Sequence, residues 1–93
     1  GTDETSLMLH LAPELVDMSV ATRNVPEQLA DNQHVKFGGS VAFGWLSNDF
    51  GPDGHIGDPL PATAQLGKQL FDGAVQTLGE ALGEIAAFEL PMT

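Results

Sequence analysis

The sequence contains no cysteine among its 93 residues. A disulfide framework and a thiolate metal site are therefore both excluded within it, because each needs cysteine sulfur. The longest apolar runs are too short to span a bilayer, and the N-terminal residues do not combine a basic region with an apolar stretch. These absences fit a cytoplasmic protein, which is the location we expect.

Basic residues are scarce. Three Lys and Arg residues stand against thirteen Asp and Glu, which gives a formal net charge of -10. Nucleic-acid-binding proteins need clustered basic side chains to replace phosphate counterions, and anionic membrane surfaces attract basic segments. We therefore expect no nucleic-acid partner and no membrane partner. Hydrophobic residues make up 42% of the chain, which is typical of a globular protein rather than a disordered one.

The opening residues have the pattern of a helix start. Thr2 or Asp3 can act as the N-cap of the apolar run that follows. Asp3 and Glu4 place negative charge at the positive end of the helix dipole. Pro13 should end the helix, because a proline pushes the preceding residue out of the α region. The pattern predicts a glutamate held at a rigid helix start.

The middle of the chain carries weaker signals. Residues 14–20 alternate only partly, so they predict either a short strand or a continuation of the first helix. Residues 21–33 are polar and turn-rich, and we expect a loop there with one helical turn at 27–30. Residues 40–46 are the best strand candidate, because they are short, apolar, aromatic and bounded by turn residues. Residues 47–61 carry several glycines and prolines and predict a loop.

The clearest element lies near the C-terminus. Apolar residues recur there at spacings of three and four, which predicts a helix from about 62 to 88: Leu66, Leu70, Ala74, Leu78, Leu82 and Ile85. Such a helix would be about 40 Å long. Four glycines fall inside it, and each costs up to ~1 kcal/mol relative to alanine. Their number suggests close packing against a neighbouring element.

The rest of the chain offers too few strands to cover the apolar stripe of this long helix. An apolar stripe of that length needs a multi-stranded sheet beneath it, whereas the sequence offers one good strand and one or two doubtful ones. We therefore expect an α/β fold in which residues 1–93 are the C-terminal part of a single larger domain. The N-terminal part of that domain would then be the first partner of this chain.

Two segments resemble the later half of the creatininase (creatinine amidohydrolase) family. Residues 4–17 begin with Glu-Thr-Ser-Leu-Met-Leu and end with Leu-Val-Asp, as the family's Glu-Thr-Ser helix start does. Gly57-Asp58-Pro59, with Ala62-Thr63-Ala64 and Gly67 after it, is similar to the family's entry into its final helix. Gly1 matches the last glycine of a His-Ala-Gly or His-Gly-Gly turn, whose histidine lies outside the sequence. Thr2-Asp3 between the glycine and the glutamate is less typical of the family.

The resemblance implies a three-layer α/β/α domain with a mainly parallel sheet and a long C-terminal helix, assembled as a homo-oligomer that is a hexamer in relatives. It implies a metal-dependent amidohydrolase, in which a metal-bound hydroxide hydrolyses the C–N bond of a small cyclic or linear amide. Zinc or manganese, or iron in some relatives, is held mostly by ligands in the first half of the domain. Those ligand motifs do not occur here, so we expect no metal to be bound by this chain alone.

Glu4 is the catalytic candidate. The resemblance implies a carboxylate that lines the metal and substrate pocket, either as a ligand or as an acceptor that orients the metal-bound water. The alternative is a first-turn residue that only complements the helix dipole. Thr5 and Ser6 are interpreted as capping or packing hydroxyls, because no basic partner is placed to activate either one.

Trp45 is the substrate-binding candidate, because the family uses aromatic residues near its substrate; the alternative is a core tryptophan on a strand. The loop of residues 48–58 gathers three aspartates and His55. An EF-hand register would place Leu60 where the bidentate glutamate belongs, which argues against calcium. A His-plus-Asp metal site, ordinary turn chemistry, substrate gating and a subunit contact all remain open for this loop.

A hypothesis of a different class is a non-catalytic scaffold or oligomerisation module of the same fold. In that case the long helix and the glycine-rich loop would serve assembly alone. Stoichiometric zinc or manganese in the complete protein would favour the enzyme, and its absence would favour the scaffold.

Overall fold

The computed structural model describes residues 1–91, which form two compact units. The helical unit comprises residues 3–16 and the residues from 62 onward, and the loop unit comprises residues 1–2 and 17–61. Two α-helices and three short 3₁₀ turns make up the regular structure in the described part: α1 (Thr2–Leu11), α2 (Ala64–Ala87), and the turns Pro13–Leu15, Met18–Val20 and Glu27–Leu29.

The first helix, α1, ends before Pro13 as predicted. It begins at Thr2, so neither Thr2 nor Asp3 is its N-cap, and that prediction is wrong. Asp3 and Glu4 both lie in the first turn, where their charge complements the helix dipole. His10 lies in the last turn.

The helix predicted from about 62 to 88 is confirmed, because α2 begins two residues later and ends one residue earlier than predicted. Thr63 is its N-cap, and the Thr63 hydroxyl accepts a hydrogen bond from the Leu66 N–H at 3.0 Å. The 24 residues of α2 give a length of about 36 Å. Lys68 and Asp72 form an exposed i,i+4 ion pair with an N···O distance of 2.5 Å, a kind of pair that contributes little to stability.

Within the helical unit, α1 and α2 pack through small residues. Ser6 is the one fully buried residue among those described. Its hydroxyl accepts a hydrogen bond from the Thr63 N–H at 3.1 Å, and a Cβ at Gly67 would overlap the Ser6 carbonyl oxygen. One helical turn further along, the rings of His10 and Phe71 lie 5.7 Å apart. Glycine is therefore required at position 67, whereas a Cβ at Gly73, Gly79 or Gly83 would meet nothing within 4 Å. The predicted close packing is thus confirmed at one of the four glycines.

The expected α/β fold with a mainly parallel sheet is wrong for the part of the chain that is described, which is helical and contains no strand. Residues 40–46 adopt an irregular conformation, and residues 14–20 form two 3₁₀ turns instead of a strand or a longer helix. A strand needs a neighbour to pair its backbone groups. The described residues supply a single isolated bridge, between Asn24 and Gly57.

Apolar burial is low throughout residues 1–91, where no hydrophobic side chain is buried. The accessible surface is 7204 Å² for a chain of 9.8 kDa, whereas a folded monomer of that mass exposes about 5,200 Å². On α2 the exposed residues form a continuous apolar stripe of Phe71, Val75, Leu78, Leu82 and Ile85. No helix among residues 1–91 is both long enough and apolar enough to cross a membrane.

Candidate functional site

In the loop unit, the first two residues meet the Gly-Asp-Pro segment. The Thr2 hydroxyl donates a hydrogen bond to the Asp58 carbonyl oxygen at 2.5 Å. A Cβ on Gly57 would lie 3.0 Å from the Gly1 Cα, and Gly57 has a φ of +112°, which side chains other than glycine rarely adopt. Gly1, which matches the last glycine of the family's turn, therefore lies directly against the Gly-Asp-Pro segment.

In the helical unit, the Glu-Thr-Ser segment meets the entry of the long helix. Ser6 belongs to the Glu-Thr-Ser segment, and its partners Thr63 and Gly67 belong to the entry of the long helix. The interpretation of Ser6 as a packing hydroxyl is confirmed by its complete burial. The motif residues thus have a structural role here, namely to hold α1 against α2.

Glu4 lies on the first turn of α1 and is exposed. Neither a hydrogen bond nor an ion pair links its carboxylate to another residue in the described range. Ser6, two residues later, is fully buried, so the turn that carries Glu4 is anchored by packing. The result is a carboxylate with a fixed backbone and a free acceptor group.

Trp45 belongs to an aromatic cluster in the loop unit that is centred on Phe37. The Phe37 ring lies 5.6 Å from that of Phe43, 5.5 Å from that of Trp45 and 5.6 Å from that of Phe50. Trp45 and Phe50 are 5.8 Å apart in an edge-to-face arrangement. These distances are favourable for aromatic pairs. Trp45 remains 45% exposed, so it is not a core residue of the described chain.

A small cavity of about 330 Å³ adjoins this cluster. Its walls include the rings of Phe37, Phe43 and Trp45, together with Lys36 and the two glycines that follow Phe37. Small-molecule sites in proteins start at about this volume and are lined mainly by apolar and aromatic groups. A flat ring or amide can stack on such walls.

A larger open cleft of about 760 Å³ lies beside it in the loop unit. Two of the three basic residues of the chain, Arg23 and Lys36, contribute to its lining. Glu27 and Asp31 also line it, and Arg23 is engaged by Glu27 at 3.1 Å and by Asp58 at 3.9 Å. Because the four charges cancel, this cleft has no net preference for an anion or a cation.

The loop of residues 48–58 is organised by turn chemistry. Asp49 accepts a hydrogen bond from the Leu46 N–H at 2.8 Å, and Asp58 accepts one from the Leu60 N–H at 3.0 Å. The His55 Nε2 is bonded to the Thr22 carbonyl oxygen at 2.9 Å. Within residues 1–91, no three His, Asp or Glu side chains are grouped to hold a metal ion. The residues present therefore do not fit a metal site, and the turn interpretation of this loop is the supported one.

Two residues of the loop unit have a role that no sequence pattern indicates. Asn24 looked like an ordinary turn residue, but its side chain donates to the carbonyl oxygens of Phe50 and His55, both at 2.8 Å. Phe37 carried no signal of its own, yet it lies at the centre of the aromatic cluster. Both act through partners distant in sequence, and local patterns contain no information about such contacts.

The chain is similar to a known protein family. A family model described as creatinine amidohydrolase covers residues 1–82 of the chain. The matched range includes both segments that resemble the family, residues 4–17 and residues 57–67, and most of α2. No curated protein and no solved structure matches the chain significantly.

Proposed function

The chain belongs to the creatininase family, and from that premise we propose that it forms part of a metal-dependent amidohydrolase that hydrolyses the C–N bond of a small cyclic or linear amide. Membership of the family indicates an amidohydrolase type of function. The single observation that carries the proposal is the family match over residues 1–82. The contact that joins the two motif segments at Ser6 supports it.

In our proposal, the metal is bound by residues of the domain that lie outside this chain. Zinc or manganese is the ion we expect, with iron as a further possibility among relatives. The residues described here supply no ligand cluster for it. Their contribution is instead to bind the substrate and to present acceptor groups to it.

Glu4 is the residue we propose as catalytic. Its carboxylate is exposed and unpaired among the described residues, so it is free to accept a proton or a hydrogen bond from a group brought to the first turn of α1. General acid–base catalysis by a positioned side chain typically accelerates a reaction by roughly 10²–10⁴-fold. The burial of Ser6 supports this role, because a catalytic group needs a fixed backbone.

Trp45 is the residue we propose for substrate binding. Its exposed ring and the neighbouring Phe37 offer flat apolar surfaces at the cavity of about 330 Å³. A planar amide would stack on these rings. Trp45→Ala should therefore raise KM more than it lowers kcat.

The uncovered apolar surface supports a larger folded unit. We propose that the stripe on α2 packs against polypeptide outside these 93 residues, within one domain that assembles as a homo-oligomer. The stripe includes Leu78, which is 59% exposed, and Ile85, which is 69% exposed. Covering such a stripe stabilises the folded state by a free energy of roughly 25 cal/mol per Å² of apolar area removed from water.

The experiment uses the longest natural chain that contains these residues, assayed on a panel of small cyclic and linear amides. Glu4→Gln should lower kcat by about 100-fold or more, with little change in melting temperature. Asp3→Asn is the matched control, because it makes the same charge change on the same helical turn. Equal activity of the two variants would contradict the assignment of Glu4.

A scaffold or oligomerisation module is the second candidate, and the exposed stripe on α2 is the observation that favours it. The two candidates differ in metal content. The amidohydrolase should hold stoichiometric zinc, manganese or iron in elemental analysis, and removal of the metal should abolish hydrolysis. A metal-free protein that assembles normally and hydrolyses none of the amides would favour the scaffold.

A further inference from the structure

The side chain of Asn24 bonds two distant carbonyl groups at once. Its Nδ2 donates to the carbonyl oxygen of Phe50 and to that of His55, each at 2.8 Å. These are good distances for N–H···O hydrogen bonds, and both N–H groups of the amide are used. The partners lie 26 and 31 residues further along the chain. A single polar side chain thus joins two points of the loop of residues 48–58.

The backbone at Asn24 adds a third attachment. The Asn24 N–H donates to the Gly57 carbonyl oxygen at 2.9 Å, and the Gly57 N–H donates to the Asn24 carbonyl oxygen at 2.7 Å. We call the side-chain bonds to Phe50 and His55, together with this backbone pair, the Asn24 clasp. The clasp attaches the loop at three positions spread over eight residues.

The clasp connects to the aromatic cluster through Phe50. The carbonyl group of Phe50 is held by Asn24, while its ring packs against Phe37 at 5.6 Å and against Trp45 at 5.8 Å. The next residue, Gly51, has a φ of +130°, and a Cβ there would lie 3.3 Å from the Asn24 Nδ2. Fixing the backbone at this point therefore determines where the Phe50 ring meets Trp45.

We propose that Asn24 is a positioning residue that sets the aromatic surface beside Trp45 by holding the loop of residues 48–58. The functional meaning of that surface rests on the substrate-binding role proposed for Trp45. The clasp itself is a property of the ligand-free chain, so it can be tested without an activity assay.

Asn24→Asp is the most direct test variant. It keeps the size of the side chain, removes both N–H donors and places a carboxylate oxygen against two carbonyl oxygens. Asn24→Ala removes the donors without adding charge. Asn32→Asp is the matched control in the same unit, because the side chain of Asn32 makes one local hydrogen bond, to the Val35 carbonyl oxygen at 3.0 Å, and none to the loop of residues 48–58.

Two measurements report on the clasp. Trp45 is the only tryptophan of the chain, so its emission and its quenching by acrylamide follow the aromatic cluster alone. Chymotrypsin cleavage after Phe50, followed by mass spectrometry, tracks the population in which the loop is open. Loss of two hydrogen bonds of ordinary strength should raise that cleavage rate about 10-fold. The Trp45 emission should shift to longer wavelength and be quenched more strongly.

The Asn32→Asp control should leave cleavage and emission at their original values, and the far-UV helical signal should persist in every variant because the α-helices lie outside the loop. Asn24→Gln keeps the two donors on a longer side chain and should restore part of the protection from cleavage. Original cleavage rates in Asn24→Asp would overturn the proposal, and so would an equal effect of Asn32→Asp. Loss of the helical signal in both Asn24→Asp and Asn24→Ala would also overturn it, because Asn24 would then support the whole fold.

A failure of the proposed substrate-binding role can be distinguished from a failure of the Asn24 clasp. If Trp45→Ala left KM unchanged in the complete protein, the substrate-binding role would be wrong while the cleavage result for Asn24 still stood.

Discussion

The helical unit and the loop unit are ordered by different kinds of interaction. In the helical unit the order comes mainly from helix formation, with a cap at Thr63 and an apolar period along α2, and from one close approach of α1 to α2 at Ser6. In the loop unit it comes from polar contacts between distant residues, above all those of Asn24 with Phe50 and His55. The comparison shows that a family sequence can retain well-defined local geometry where apolar burial is almost absent.

The two units also differ in how they expose apolar groups. The helical unit exposes a long stripe on α2, whereas the loop unit gathers its aromatic rings into one cluster around Phe37. A stripe of that kind fits a large flat surface, and a cluster beside a small cavity fits a small molecule. The helical unit is therefore the candidate for packing, and the loop unit is the candidate for binding.

The largest expected effect concerns the close approach in the helical unit. Gly67→Ala places a methyl group against the Ser6 carbonyl oxygen, so α1 and α2 must separate. Overpacking of this kind typically costs about 1–3 kcal/mol, more than the gain of up to ~1 kcal/mol from replacing a helical glycine by alanine. Urea unfolding followed by far-UV circular dichroism measures the difference.

Gly79→Ala is the control for that experiment, because nothing lies within 4 Å of a Cβ at that position. It should stabilise α2 by up to ~1 kcal/mol. If both substitutions stabilised the helix equally, the contact between α1 and α2 would not exist in solution.

The next effect concerns the loop unit. Gly51→Ala puts a side chain on a residue with a φ of +130°, and its Cβ would lie 3.3 Å from the Asn24 Nδ2. A conformation that disfavours L-residues costs roughly 1–2 kcal/mol. Hydrogen exchange of the Gly57 amide, which is bonded to Asn24, should become faster. Gly44→Ala is the control, since a Cβ there meets open space, and it should leave that exchange rate unchanged.

The two units differ in how much of their structure could be predicted from the sequence. The apolar period of residues 62–88 predicted α2 because helix formation depends on neighbours three and four residues away. The strand at residues 40–46 was predicted wrongly, because a strand depends on a partner that the described residues do not supply. Motif residues such as Ser6 were recognisable from the family resemblance, whereas Asn24 was not, since its partners lie 26 and 31 residues away.

A smaller effect is expected at the start of α2. Thr63→Ala removes the hydroxyl that accepts from the Leu66 N–H, and loss of an N-cap typically costs about 1 kcal/mol. Thr63→Ser keeps the acceptor and should behave like the original chain. Amide exchange at Leu66 distinguishes the two variants, and equal exchange in both would mean that α2 is not capped by this side chain.

The smallest effect is a pH dependence in the loop unit. The Ser19 hydroxyl and then the Ser19 N–H donate to the Asp17 carboxylate, and these two bonds lower the pKa of Asp17 below its ordinary value. A lowered folded-state pKa means that the turn Met18–Val20 is stabilised above the ordinary carboxyl pKa and loses that stabilisation as the pH falls through the lowered pKa. In Ser19→Ala, an NMR titration should find the pKa of Asp17 closer to its ordinary value, while Ser40→Ala should leave it unchanged. If the pKa of Asp17 were the same in Ser19→Ala as in the original chain, the two hydrogen bonds from Ser19 would not order the turn Met18–Val20 in solution, and the loop unit would keep only its long-range polar contacts.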